Sequence, residues 1–385
     1  MRWCGSSWGG SVTEWRETTL DQLVKLQRGH DLPTSQRRAG SVPVMGAAGQ
    51  SGTHDTEMAK APGVVLGRAG ASMGKATYCD VDFWPLNTAL YVTDFQGNDP
   101  RFTYYLLDRI DFSGYNSGAA QPMLNRNYIT QIPISLPEPA EQRAISAVAG
   151  SLDDKIAVNE RIAAAARELG LALYSQSLYD GDSAEVAVES FTTAVTRGIA
   201  PKYTDSSDEL TVLNQKCIRD GRVTLEPARL TLREKVKAPK LLQRNDVLVN
   251  STGVGTLGRV ARWTLDMDAT VDSHITIVRF NEDKVDPVCA GFAMLRAQPE
   301  IEAMGEGSTG QTELRRSQVG ELELTLPGSA GQKELRPKLD ALEERADQAL
   351  RESLALADLR DTLLPQLMSG SLRVRDAEKI VEDAV

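Results

Sequence analysis

The 385-residue sequence has no surplus of basic side chains: 53 Asp and Glu stand against 43 Lys and Arg, a net charge of −10. That excludes a simple DNA-coating protein, whose affinity comes from excess Lys and Arg. No stretch approaches the roughly 18 apolar residues of a membrane span, and the opening MRWCGSSWGG lacks the apolar run of a secretion signal. A cytoplasmic protein with no membrane partner is expected. Cys4, Cys79, Cys217 and Cys289 lie far apart without a CxxC, which suits a reducing compartment and supplies no metal motif. His30, His54 and His274 are too few and too scattered for a zinc site or an evident base-nucleophile pair. What is present, 41% hydrophobic and 25% charged residues, is the composition of an ordinary globular protein, and the length predicts two or three domains.

The chain repeats itself. At an offset of 190 residues IPISLP (132–137) falls on LELTLP (322–327), both alternating strand patterns ended by proline. The register continues: Gln142-Arg143 falls on Gln332-Lys333, Leu152-Asp153-Asp154-Lys155 on Leu342-Glu343-Glu344-Arg345, and Gln176 on Gln366. Upstream the offset shrinks. GVVLGRAGASMGK (63–75) resembles DVLVNSTGVGTLGR (246–259), and Arg28-Gly29 matches Arg197-Gly198, so the second copy is longer in its first half. Each copy begins with a stretch of short strands, turns and brief helices, such as one over 102–108, and reads as an α+β globule. Each ends in a segment nearly free of Gly and Pro and rich in Ala, Leu, Glu and Arg, which predicts one long helix.

Both helical segments carry an alternating four-and-three apolar spacing. Ile145, Ala149, Leu152, Ile156, Asn159, Ala163, Ala166, Gly170 and Leu173 form one seam; Leu335, Leu339, Leu342, Ala346, Ala349, Ser353, Leu356, Arg360 and Leu363 form the same seam 190 residues on. An isolated helix gains too little to bury such a stripe, so the pattern predicts that the two helices pair with each other, the Ala-rich middle allowing close approach; the alternative is that each packs on its own globule.

Two glycine-rich motifs invite a nucleotide reading. Gly253-Val254-Gly255-Thr256-Leu257-Gly258 is a literal GxGxxG with Asp272 downstream. The next segment, residues 259–263, is short and strand-like, so no helix N-terminus is offered to a pyrophosphate. The first-copy loop, 67–75, has Gly70 one residue too close to Gly74, and Ala76 stands where a P-loop needs Ser or Thr. A glycine turn between strands is the expectation for both. No HExxH or Asn-Pro-Pro-Tyr occurs, and no catalytic constellation is recognisable. The remaining polar loop residues are candidates for DNA contact: Arg68, Lys75, Asn116, Ser117, Gln121 and Arg126 in the first copy, and Ser251, Thr252, Arg259, Ser308, Gln311, Arg315 and Arg316 in the second. These are the side-chain types that read base edges and phosphates.

LPEPAEQRAISAVAGSLDDKIAVNERI (136–162), ALYSQ (172–176), LLPQLMSGSLRV (363–374) and GAAQPMLN (118–125) resemble the specificity subunits of type I restriction-modification enzymes. The resemblance runs from about Trp15 to Val374. The chain departs from that pattern where Gly331-Gln332-Lys333 replaces a second EQR, and where about fourteen residues precede the tryptophan-led start, an extended or a misassigned N-terminus. It implies an α+β fold with a pseudo-twofold internal repeat, its two long helices forming an antiparallel coiled coil: a target-recognition domain at 1–138, a first spacer helix at 139–180, a second such domain at 181–328, a second spacer helix at 329–372 and a tail at 373–385. It implies a non-catalytic subunit that recognises a bipartite target in double-stranded DNA. Its partners would be two methyltransferase subunits and restriction subunits, met through residues such as Glu141, Gln142, Arg143, Asp153, Asp154 and Lys155. No cofactor is expected in this chain; S-adenosylmethionine, ATP and magnesium would act in the partners. A helix over about 140–179 is roughly 60 Å long, enough to hold two modules about one DNA turn, roughly 34–36 Å, apart. Two other classes remain open on sequence: a coiled-coil scaffold without its own sequence recognition, and a nucleotide-binding enzyme using the Gly253–Gly258 loop.

Overall fold

A computed structural model describes residues 15–118, 122–305 and 313–384. The chain divides into two compact units. One comprises Met1–Ala157 with Ser353–Val385, the other Val158–Glu352, so the division falls inside both long helices, Pro139–Asp180 and Ser329–Met368. No helix among the described residues is long and apolar enough to cross a membrane.

In the first unit, Lys25–Arg28, Ala89–Asp94, Gly63–Gly67 and Ala76–Cys79 form an antiparallel sheet in that order. The central strand Gly63–Gly67 is wholly buried, as its unbroken apolar run requires of a strand covered on both faces. Gly49–His54, Val42–Gly46 and Trp84–Pro85 form a smaller sheet whose last pair is parallel. The segment IPISLP supplies Pro133–Leu136, which pairs with Arg16–Thr19 and closes the globule.

The second unit repeats this plan. Thr192–Arg197, Ile275–Phe280, Val247–Asn250 and Val260–Arg262 form a sheet of the same order, and Glu323–Pro327 pairs with Ser183–Ala187. The parallel pair recurs as Leu210–Leu213 with Ala269–Val271. The additional length in the second copy includes a hairpin, Ile218–Arg219 with Arg222–Val223, which the described residues of the first unit lack. The repeated Arg-Gly pair now has a cause. A side chain at Gly29 would meet the Leu86 carbonyl oxygen at 2.2 Å, and one at Gly198 the Asp272 carbonyl oxygen at 2.1 Å. Only glycine lets the backbones approach so closely at that place.

Each globule holds a ten-residue helix against its sheet, Pro100–Arg109 and Pro287–Arg296, started by the same device. Asp99 and Asp286 cap the first turn through their carboxylates, with proline at the first helical position. The backbone N–H of each Asp donates to a glutamine Oε1 on a long helix, Gln142 and Gln332, both at 2.9 Å. Both glutamines then donate from Nε2 to the carbonyl of the proline that ended the preceding strand, Pro137 and Pro327.

Within each unit the two long helices run antiparallel. In the first, Ala149 packs with Leu364 and Asp153 pairs with Arg360 at 2.6 Å. In the second, Ala163 and Ala166 pack with Ala346, and Asn159 Nδ2 donates to Glu352 at 3.0 Å. The seam positions Ile145, Ala149, Leu152, Leu335, Leu339, Leu356 and Leu363 are buried, and Ile156, Leu173 and Leu342 half-buried. Residues 373–385, expected as a tail, instead form the helix Val374–Ala384, with Ala377 fully buried in the first core beside Leu363 and Leu367.

Candidate nucleic-acid interface

Three chain segments meet at one edge of each globule, held by the same backbone bonds in both copies. In the first, Arg68 N–H donates to the Thr88 carbonyl at 3.0 Å, and the Arg68 carbonyl accepts from Leu124 N–H at 2.8 Å. In the second, Ser251 N–H donates to the His274 carbonyl at 2.8 Å, and the Ser251 carbonyl accepts from Leu314 N–H at 2.9 Å. An isolated bridge adjoins each, Ala69 to Met123 and Thr252 to Glu313. The hairpin loop after the central strand, the turn before the long strand and the segment before a short helix thus form a duplicated platform.

The side chains on the two platforms differ. On the first, the Arg68 guanidinium donates to the Asn87 carbonyl, and Asn87 reaches Asp31. Lys75 and Arg126 are exposed, Arg126 lying beside the Leu26 carbonyl. Asn116 Oδ1 accepts from Gly118 and Met123 N–H, and Ser117 Oγ donates to the Met123 carbonyl, so these two hold the loop itself. On the second, Thr252 Oγ1 bonds His274 Nδ1 at 2.8 Å, while Gln215 Nε2 donates to the Thr252 carbonyl at 2.9 Å. Arg259 Nη2 donates to the Gly255 carbonyl at 2.8 Å. Arg315 and Arg316 are exposed at the start of the short helix Arg316–Glu321.

One candidate is overturned as a ligand contact. Ser251 occupies the place of Arg68 but is fully buried, its hydroxyl bonded to Thr276 Oγ1 at 2.7 Å and to the Val249 carbonyl. Gln121, Ser308 and Gln311 lie outside the described residues.

The partner-contact candidates are also redistributed. Gln142 is 1% exposed and fully engaged with Asp99, Asn98 and Pro137. Asp153 accepts from Tyr105 and Arg360, and Asp154 from both Arg101 terminal nitrogens. The acidic pair therefore fastens helix to globule within the unit, as Glu343 does in the second unit with the buried Arg262. Burial drives the Glu343 carboxyl above its ordinary value despite that arginine. Glu141 and Lys155 are half-exposed and Arg143 is exposed on the surface of the long helix.

Sequence reasoning passed over four platform residues: Gln215, His274, Arg197 and Lys240. Arg197 donates to the Leu314 carbonyl and pairs with Glu313 at 3.0 Å; Lys240 Nζ donates to Thr196 Oγ1 and the Arg197 carbonyl. Burial lowers both basic groups from their ordinary values, and the Arg316 charge adds to the effect on each. For Arg197 the carboxylate of Glu313 opposes this lowering. The repeated Arg-Gly pair was the available signal, and it marked the strand without marking the role.

The Gly253–Gly258 segment is the hairpin loop between two antiparallel strands, with Gly253, Gly255 and Gly258 all at positive φ. Val260–Arg262 comes next as a strand, which removes the helix a dinucleotide site needs. Among the described residues no group of His, Cys, Asp and Glu is placed to hold a metal ion.

Comparison with known proteins agrees with this geometry. Residues 13–167 match the family model of the type I restriction modification DNA specificity domain. The chain is similar in fold to the S subunit of a type I restriction-modification system from M. genitalium, at 16% identity and a TM-score of 0.57, covering 92% of this chain and 96% of that one. The HsdS subunit of Thermoanaerobacter tengcongensis also matches, at 16% identity and a TM-score of 0.34 over 93% of this chain and 97% of that one. No curated protein sequence matches.

Proposed function

From the match of residues 13–167 to the type I restriction modification DNA specificity domain we propose that this chain is a type I restriction-modification specificity subunit, the non-catalytic subunit that selects the DNA sequence to be modified. The observation that carries the reading is the duplicated platform: identical backbone bonds in both globules under different side chains. A frame kept constant while its polar residues diverge suits a protein that docks two similar backbones and reads two different half-sites. Its partners are double-stranded DNA, two methyltransferase subunits and restriction subunits. S-adenosylmethionine, ATP and magnesium belong to those partners, and the reaction steps with them.

Arg197, Lys240 and Arg316 in the second unit, and Lys75 and Arg126 in the first, neutralise phosphates. Thr252, His274 and Gln215, and Arg68 with Asn87, lie where base edges would be read. The test is methylome sequencing of cells with and without this gene, in the presence of the cognate methyltransferase subunit. Appearance of one bipartite methylated motif is expected. Methylation that does not depend on the gene overturns the reading in favour of a scaffold without recognition.

A further inference from the structure

The hairpin loop of the second platform ends in an apolar side chain held in the open: Val254 is 99% exposed. A lone exposed valine is unremarkable on a surface. This one is presented by a built stem. Gly253 and Gly255 on either side adopt φ of +106° and +73°, which places Val254 at the apex of the turn. The Gly253 carbonyl accepts from Leu257 N–H at 3.0 Å, and Asn250 Nδ2 donates to the Thr256 carbonyl at 3.1 Å. Gln215 and Arg259 secure the two sides of the loop through the Thr252 and Gly255 carbonyls. The tip is therefore held by its base. Around it stand an amide, a hydroxyl, an imidazole and a guanidinium, from Gln215, Thr252, His274 and Arg259. The corresponding loop of the first copy carries a different tip, Ala71, exposed in the short turn Gly70–Ser72.

We propose that Val254 is a specificity-determining contact of the half-site read by the second globule, its isopropyl group packing on the C5-methyl of a thymine in the major groove. Among the four base edges in that groove only thymine offers an apolar group. The flanking hydrogen-bonding side chains would read the neighbouring edges, and Arg259 supplies a positive charge beside the tip. The inference rests on the DNA-recognition reading and specifies what one residue of that site selects.

The test uses the full chain assembled with its methyltransferase subunit and duplexes bearing the methylome-derived target. Each thymine of the second half-site is replaced in turn by uracil, which removes only the methyl group. For wild type, one replacement is expected to weaken binding roughly fourfold, the size of one methyl group lost from an apolar contact. Val254→Ala is expected to weaken binding to the thymine duplex by a similar factor and to lose the uracil sensitivity at that position, with the first half-site unaffected. Because the side chain touches no core, an unchanged melting temperature of the variant shows that the fold is intact. Wild type indifferent to uracil at every thymine, a second half-site without thymine, or a Val254→Ala variant that keeps full sensitivity each overturns the inference. Binding of wild type without any sequence preference overturns the proposed function itself, a distinct result.

Discussion

At the scale of single residues, the same side chain type serves recognition in one protein and architecture in another, and Gln142 shows which applies here. Its amide bridges the Asp99 N–H, the Asn98 side chain and the Pro137 carbonyl, and Gln332 repeats two of these bonds 190 residues later. Removing a buried amide that satisfies several partners leaves them unpaired at about 1–3 kcal/mol. Gln142→Ala is therefore expected to lower unfolding free energy by about that amount in chemical denaturation, with no separate loss of affinity for the methyltransferase subunit under conditions where the variant is folded. A stable variant that fails to bind the partner would return Gln142 to the interface. The cysteines give a second residue-scale expectation. Burial pushes the Cys79 and Cys289 thiols up to about 12 and raises Cys217 as well, so little thiolate exists near neutrality. Thiol reagents should leave all three unlabelled in the folded chain and label them on unfolding; rapid labelling of any one in native buffer contradicts its burial. Motif residues were legible as a pattern, since spacing survives in sequence. Their roles were not, because Gln142, Asp153 and Ser251 differ from true surface residues only in what folds over them.

At the scale of elements, most of the fold was legible because periodicity reports which face is covered. The four-and-three spacing identified the seam of both long helices, including its small central residues Ala163, Ala166 and Ala346, which are all buried. Leu339, fully buried in the second core, should cost about 2–5 kcal/mol when changed to Ala. Ala346→Leu should also destabilise, by about 1–3 kcal/mol, because the position is already filled by its neighbours. Unfolding curves that match wild type would show the seam to be looser than this packing implies. The helix Val374–Ala384 escaped the sequence reading for the converse reason: its apolar stripe is short and makes sense only against Leu363 and Leu367. If the long helices set the unread gap of the target, adding one matched heptad to each, near Asn159 and Glu352, should lengthen that gap or abolish methylation. An unaltered gap would contradict that role.

At the scale of the whole molecule, the absence of a basic surplus acquires a meaning. Residues 1–138 carry 12 basic and 13 acidic side chains, and 181–328 carry 18 and 22, so neither globule is a basic domain. Its cations are local, as at Arg197, Lys240 and Arg316, and acids elsewhere offset them. The isolated chain should accordingly bind DNA weakly, and less still as salt rises, with partner subunits supplying much of the phosphate neutralisation. Independence of the two half-sites, each read by its own copy of the frame, follows from the proposed function. It is tested most directly by exchanging residues 15–138 for the corresponding globule of another family member and sequencing the methylome of cells carrying the hybrid and its methyltransferase subunit. A bipartite motif is expected in which one half is replaced and the other, read by the second globule, is retained. A motif changed in both halves, or in neither, would contradict it.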